Sequence, residues 1–314
     1  MNYRQAEHLL AVYEEGSVSR AASRLGVSQP AISQTIQTAE REIGMHIFQR
    51  GPDGRSLTYA GEKYLSAARR LMALEGNLGR ELQELRGEHS GKLRIGISSL
   101  RGMVLLPQIL PGFLEQHSAV NPVLVEADSS QLDVLLLEGR IDLAFLLSVE
   151  KIHPGLEYIT LCQEQLLLIA GVDTNIAQSR QPYSTINIQE ARGDRFISLR
   201  PGNDVRALQD RMFYENRMSP RILMETNSPE VARRLAIVCS AVTLFPETLM
   251  TSGISDTDQG GVWYRISGSH YLRDFFLCYH KNNYIPLYMQ DFISATRQFF
   301  QEKYPLEAHQ PPEI

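Results

Sequence analysis

Cysteine is scarce in this sequence, with three in 314 residues (Cys162, Cys239 and Cys278) and no Cys-x-x-Cys pair. An odd number at wide spacing excludes a disulfide framework and reads as buried thiols in a reducing compartment. Long apolar runs are missing too. Stretches such as Leu166-Leu-Leu-Ile-Ala170 are far too short to span a bilayer, so no membrane partner is expected. The first fifteen residues mix Arg4, Glu7, His8, Glu14 and Glu15 among apolar positions, which is not the pattern of an export signal, and a cytoplasmic location is the expectation. Neither sign of charge dominates: the net charge is −5, with 12 basic and 11 acidic residues in 1–92 and 19 and 25 beyond. Bulk charge therefore advertises no nucleic acid, and any such function must rest on motif and geometry. The eight histidines are scattered, and no Gly-x-Ser-x-Gly elbow, phosphate loop or metal-spaced His/Cys cluster occurs. Neither catalysis nor a metal or other cofactor is expected.

What is present is enough apolar residue, 43%, to fill real cores, in a chain long enough for two or three compact units. Residues 1–58 read as three short helices. Leu9, Leu10, Val12 and Tyr13 form a stripe that stops at Gly16; Val18, Ala21, Ala22 and Leu25 one that stops at Gly26; Ile32, Ile36, Ala39 and Ile43 one that stops at Gly44. Ser17 and Ser28 stand where a hydroxyl accepts from a free amide, and the glycines where a left-handed residue ends a helix. Arg50-Gly-Pro-Asp-Gly-Arg55 then reads as a wing or hairpin tip. Thr58 caps a long helix reaching about Arg86, on which Tyr64, Ala68, Leu71, Leu78, Leu82 and Leu85 are spaced as a coiled-coil seam, with Glu75 interrupting. A seam implies a partner helix, so these residues are the candidate dimerisation set.

After the linker Gly87–Gly91 the texture changes to alternating strands and helices. The strands are Leu93–Ile97, Val123–Val125, Ile141–Phe145, Leu166–Ile169, Phe196–Ser198 and Val242–Phe245; helices include Gln131–Glu138, Val205–Asn216 and Pro229–Val238. That alternation predicts parallel sheets with right-handed crossovers, and its length predicts two α/β lobes.

A three-helix unit with a short turn at Gly26-Val-Ser28 is the geometry of a helix-turn-helix, whose third helix enters the major groove. Ser28-Gln-Pro-Ala-Ile-Ser-Gln34 supplies small residues for close approach and amides for base edges, Gln29 being suited to adenine. Taken alone, the same pattern also fits a plain three-helix core with solvated polar residues. The runs Ala6–Ser17, Ala21–Ser33, Glu40–Arg50 and Leu57-Thr-Tyr-Ala-Gly61, however, resemble the LysR-type transcriptional regulators, as do Gly91–Ile97, Leu137–Ala144 and Glu225–Pro229. The resemblance is strong over residues 3–65 and more diffuse to about 300. It implies an α+β multidomain chain: a winged helix-turn-helix (1–58), a dimerising linker helix and hinge (59–90), a two-lobed α/β sensor like a periplasmic solute-binding domain (91–300), and a tail (301–314). The first lobe would hold about 91–162 and 267–300, the second about 163–266. The resemblance further implies a homodimer or homotetramer on an interrupted dyad in double-stranded promoter DNA, a small-molecule effector, and RNA polymerase as a further candidate partner. Its DNA-contacting positions fall on Val18, Ser28, Gln29, Pro30, Ser33, Gln34 and Gln37, with Arg50 and Arg55 on the wing. Two departures stand out: no basic residue lies between Arg24 and Arg41, and Cys239-Ser-Ala-Val242 stands where the family tends to have glycines.

In a two-lobed sensor a ligand sits at the carboxyl ends of strands and the N-termini of helices. This selects Ser98, Ser99, Ser129, Ser130, Leu147 and Ser148 from one lobe, and Ser198, Leu199, Arg200, Thr226 and Asn227 from the other. Arg101 and Arg200 are candidates to pair with a ligand carboxylate, and the free amides suit an anion. For each serine an ordinary helix cap is the competing reading; for each arginine it is a place on the surface. A solute-binding transport protein would account for 92–300 but not for 1–58, and a DNA-binding protein without an effector would leave the sensor unexplained.

Overall fold

The computed structural model describes residues 1–51, 54–88, 90–148, 153–250, 261–268 and 271–304; the tail beyond Tyr304 lies outside them, as do the side chains of residues 50–55, Ser130 and Ser148. Helices α1 (Tyr3–Glu15), α2 (Val18–Leu25) and α3 (Gln29–Ile43) close on one core, in which Leu9, Val12, Ala21, Ile32, Ile36 and Ala39 are buried. Asn2 and Gln5 form a capping box at the start of α1, and Gly16, Gly26 and Gly44 end the three helices at φ 64°, 66° and 69°. At α3 the Ser28 hydroxyl accepts from Ala31 N–H at 3.4 Å. Ser17 departs from the sequence expectation: it occupies the N-cap of α2, but its side chain makes no capping bond. Strands β1 (Phe48–Gly51) and β2 (Gly54–Leu57) pair antiparallel, with Arg50 opposite Arg55.

Helix α4 (Tyr59–Leu85) starts on Thr58, whose hydroxyl accepts from Gly61 N–H at 2.9 Å. Its first half does not fit the proposed seam. Tyr64 and Ala68 are 8% and 0% exposed in the core of α1–α3, and Leu71 packs against that core. Only Leu74, Leu78, Leu82 and Leu85 remain as a stripe of exposed apolar residues. The seam was read too long because the 4–3 spacing of an intrachain packing stripe is the same as that of a coiled coil.

Beyond the linker the chain forms two sheets. The strands and helices β3 (Gly91–Ile97), α5 (Ser99–Gln116), β4 (Val120–Glu126), α6 (Ser129–Leu137), β5 (Leu143–Ser148) and β6 (Leu156–Glu164) build the first lobe. The chain crosses at Gln165 into β7 (Leu166–Gly171), α7 (Asn175–Ser179), β8 (Thr185–Ile186), β9 (Arg195–Leu199), α8 (Asp204–Glu215), β10 (Arg221–Thr226), α9 (Pro229–Val238), β11 (Val242–Pro246), α10 (Glu247–Met250) and β12 (Gly261–Ile266). It returns through β13 (Arg273–His280) and α11 (Leu287–Lys303). The first sheet runs β4-β3-β5-β13-β6 and the second β10-β9-β11-β7-β12-β8. In the first, β3 is parallel to β4 and β5, so the carboxyl ends of all three face the other lobe's helices. No helix among the described residues is long and apolar enough to cross a membrane.

One face of α4 is docked on the first lobe. Arg69 donates to Glu138 and Arg80 to Asp142, each at 2.7 Å; Asn77 donates to Asn283 at 2.9 Å, and Glu84 accepts from the Tyr284 hydroxyl at 2.8 Å. Asp142, buried at the foot of β5, also takes the Arg94 guanidinium and backbone N–H from β3. Burial alone would raise its pKa, but the bonds and charges of Arg94 and Arg80 outweigh that and hold it below the usual carboxylate range.

At the Cys239–Val242 turn Ser240 takes the left-handed conformation, φ 49°, without being glycine. A side chain there costs about 1.5 kcal/mol. Ser240→Gly is therefore expected to raise stability by about 0.5–1 kcal/mol after its extra unfolded-state entropy. Thermal melting checks this; an unchanged or lower Tm would count against the strain.

Candidate functional site

The first candidate site is the outer face of α3. A 3.6-residue period that buries Ile32, Ile36 and Ala39 turns Gln29, Gln34 and Gln37 outward, and Ser28 and Pro30 are exposed at the same end. Ser33 is half-buried between the faces. Val18 is not on this surface: it is 8% exposed and belongs to the core. The resemblance placed it among the contacts, but a branched apolar residue there closes α2 on α1. Gln29 is held from below, since its Oε1 accepts from the Ser19 hydroxyl at 2.9 Å, which leaves its amide NH₂ and the second lone pair of Oε1 for a base edge. Thr35 is held likewise, donating to Ala31 O at 2.9 Å and lying 3.0 Å from His8 Nδ1. Burial pushes the His8 pKa down, with the Arg4 charge in the same direction, so this ring supports α3 as a neutral group. Ser19 was not singled out in the sequence, because a bond across ten residues has no periodic signal.

The second candidate is an interlobe cleft of about 260 Å³. Ser98 and Ser99 open α5, and Asp128 and Ser129 open α6; Asn203 and Asp204 face them from α8, and Asn227 and Ser228 from α9. Four helices thus start at one cavity, and each start leaves backbone N–H groups without an intrahelical acceptor. Phe145, Leu147, Val205 and Leu249 supply apolar wall.

Among the sequence candidates, Ser98, Ser99, Ser129, Leu147 and Asn227 meet at this cavity, and so does Arg101. Four others do not, and Leu199, 1% exposed, is part of the second lobe's core. Ser198 is fully buried inside the second lobe, where its hydroxyl accepts from Gln209 at 2.7 Å. Arg200 is exposed, its backbone N–H tied to Thr226 O at 3.0 Å, and Thr226 lies behind the wall, its hydroxyl accepting from Ser228 N–H at 3.3 Å. A strand end was identified correctly in these cases, but alternation sent the side chain to the opposite face. Asp128, Asn203, Asp204 and Ser228 were missed; as helix-capping types one to three residues before a predicted start, they carried a signal that could have found them.

Behind the cavity lies a buried charge cluster at the hinge. Glu164, the last residue of β6, is 0% exposed and accepts from Arg101 at 2.7 and 3.0 Å, and also from Arg273 and Thr248. Arg273, the first residue of β13, donates in turn to Asp204 at 2.6 Å. Arg101 is thus a buried partner of Glu164, not a surface arginine. The cysteines stand apart from both sites: Cys162 and Cys278 are buried, and burial pushes the Cys162 thiol up to about 12.

Residues 3–62 match the family profile described as the bacterial regulatory helix-turn-helix protein of the lysR family, and residues 86–301 match the LysR substrate binding domain. An uncharacterized HTH-type transcriptional regulator of Bacillus subtilis, YcgK, is 25% identical over 97% of this chain and 96% of its own. A probable RuBisCO transcriptional regulator of Trieres chinensis is 30% identical over 73% of this chain and 75% of its own. Among solved structures, the LysR family regulator CbnR covers 95% of this chain and 99% of its own at 24% identity and a TM-score of 0.62. A full-length OxyR variant from Pseudomonas aeruginosa covers 100% and 99% at 18% identity and a TM-score of 0.72. With both halves matched in order and the architecture shared, the chain belongs to the LysR family of helix-turn-helix transcriptional regulators, a DNA-binding domain joined to an effector-binding one.

Proposed function

We propose that this regulator reads an interrupted dyad in promoter DNA as a homodimer or homotetramer, through Gln29, Pro30, Ser33, Gln34 and Gln37 of α3 with the β1–β2 wing alongside. The observation that carries the reading is the outward face of the first half of α3, Gln29–Gln37, where three amide side chains stand over a closed core. The leucine stripe Leu74, Leu78, Leu82 and Leu85 supports self-association through α4, which is what places two recognition helices on two half-sites. The division into 1–58, 59–90 and 91–300 follows the same logic. An effector bearing an anionic group occupies the interlobe cleft and changes how the oligomer sits on DNA, to the extent of its differential affinity for the two states. RNA polymerase is the downstream partner of a promoter-bound regulator.

Gln29→Ala is expected to weaken binding at a cognate site by about 1–3 kcal/mol, the loss of one bidentate base contact, and to leave non-specific DNA binding unchanged. Footprinting upstream of the protein's own and neighbouring genes, followed by titration of the variant, tests it. Equal affinity of wild type and variant for every protected site would remove α3 from the reading role.

A further inference from the structure

The charges already present in the cleft decide what it can hold. Arg101 is the one cationic side chain among the described residues lining it, and Glu164 and Thr248 occupy its guanidinium from behind. Asp204 is likewise taken, by Arg273. Asp128 is different: it is exposed, its side chain makes no capping bond to α6, and it enters no ion pair among the described residues. Among the described residues, the cavity therefore presents one unspent carboxylate and no unspent cation.

The four helix starts are not equivalent either. Helix α6 has Asp128 at its N-cap, and α8 and α9 carry Asp204 and Glu230 in their first turns. Helix α5 has no acidic residue in its first turn, and Ser98 makes no side-chain capping bond. Its free amides and positive dipole end are the part of the cavity left for an anion. These two unsatisfied features are neighbours. Ile97 and Glu126 are register partners on adjacent parallel strands, and Ala127 N–H donates to Ile97 O at 3.3 Å, so Ser98 stands beside Ala127, about 5 Å from it, and Asp128 is the next residue along. A carboxylate and an ammonium on one carbon span such a gap. Phe145, Leu147, Val205 and Leu249 then face the rest of the molecule.

We infer that the effector is a small zwitterion of α-amino-acid type with an apolar body, its carboxylate on the α5 amides and its ammonium on Asp128. This rests on the cleft being the effector site. A simple monoanion of the same size would leave Asp128 facing it as a like charge, and an amine would leave the α5 amides without an acceptor.

Calorimetry on the full-length protein tests this with leucine, isoleucine, valine, methionine and phenylalanine as probes. Each is paired with the carboxylate lacking the amino group and the amine lacking the carboxylate. At least one amino acid is expected to bind, and both of its counterparts to bind at least tenfold more weakly. Asp128→Asn is expected to lose at least tenfold for the amino acid and nothing for the plain carboxylate, with melting used to show that the variant is folded. Carboxylates that bind as tightly as their amino acids, a variant with wild-type affinity, or no binding by any probe would overturn the inference. The cleft reading fails on a separate result: a metabolite that alters the footprint and binds equally well when Ser99→Trp fills the cavity.

Discussion

Glu164→Ala is expected to lower the stability of the effector-binding domain by about 3–5 kcal/mol, the range for breaking a buried ion pair from one side. The alanine itself fits; the loss comes from what it leaves behind. Arg101 and Arg273 are 4% and 0% exposed, and without Glu164 two guanidiniums would face each other in a dry hinge. Arg273 keeps Asp204, but among the described residues Arg101 keeps the Thr248 hydroxyl and the ring of Phe275 at 4.4 Å. The pH dependence separates this account from a simple packing loss. Burial by itself would raise the Glu164 pKa, yet the Arg101 and Arg273 charges, with bonds from Arg101 and Thr248, together hold it below the ordinary carboxylate range. A carboxyl depressed in the folded state contributes stability that is fully present above its unfolded pKa and is lost as pH falls through its folded one. The wild type should therefore lose stability on acidification more steeply than Glu164→Gln, which has no such proton to take up. Denaturant unfolding from pH 7 down to pH 3 measures both curves, and parallel curves would sink the assignment.

Gly61→Ala is the second large effect, and its sign opposes simple helix propensity. In an open helix the change would gain about 1 kcal/mol. Here a Cβ would stand 2.1 Å from the carbonyl oxygen of Ile47 and 3.0 Å from its carbonyl carbon. That carbonyl cannot step aside cheaply, because it accepts from Thr58 N–H at 3.0 Å at the junction of wing and linker helix. Ile47 itself is fully buried. Overpacking against a fixed backbone costs about 3 kcal/mol, and the displaced segment carries β1. The variant should melt lower and footprint more weakly than the wild type. A higher Tm would mean that α4 and the wing separate without cost.

The contrast between these two residues marks how far the sequence could be read. Gly61 stood inside a recognisable motif, and Leu57–Gly61 placed it at the start of a helix. Glu164 had no local signal: its partners lie 63, 84 and 109 positions away, and only the closed fold brings them to one point. The helix-turn-helix was legible because its information is local, residing in caps, stop glycines and a 3.6-residue stripe. The cleft was half legible. Strand ends located Ser98, Ser99 and Ser129, whereas Ser198 and Thr226 needed knowledge of which face was wet. β13 and α11 passed unassigned: Phe275, Leu277 and Cys278 are buried without alternation, and their place in the first sheet is set by a strand that returns from the other lobe.

The helix α4 belongs to two cores at once, with Tyr64 and Ala68 in one and Arg69, Asn77, Arg80 and Glu84 clamped to the other. Its 27 residues make a rod roughly 40 Å long. Because the contacts to the first lobe run along the helix from Arg69 to Glu84, rod and lobe move as one piece, and any rotation of the lobe is delivered to the DNA-binding core at the other end. A rotation of rod and lobe together by about 5° around the C-terminal end of the helix sweeps its far end through roughly 3.5 Å, on the length given by the helix rise. That is about the spacing of one base pair along a DNA strand, roughly 3.4 Å.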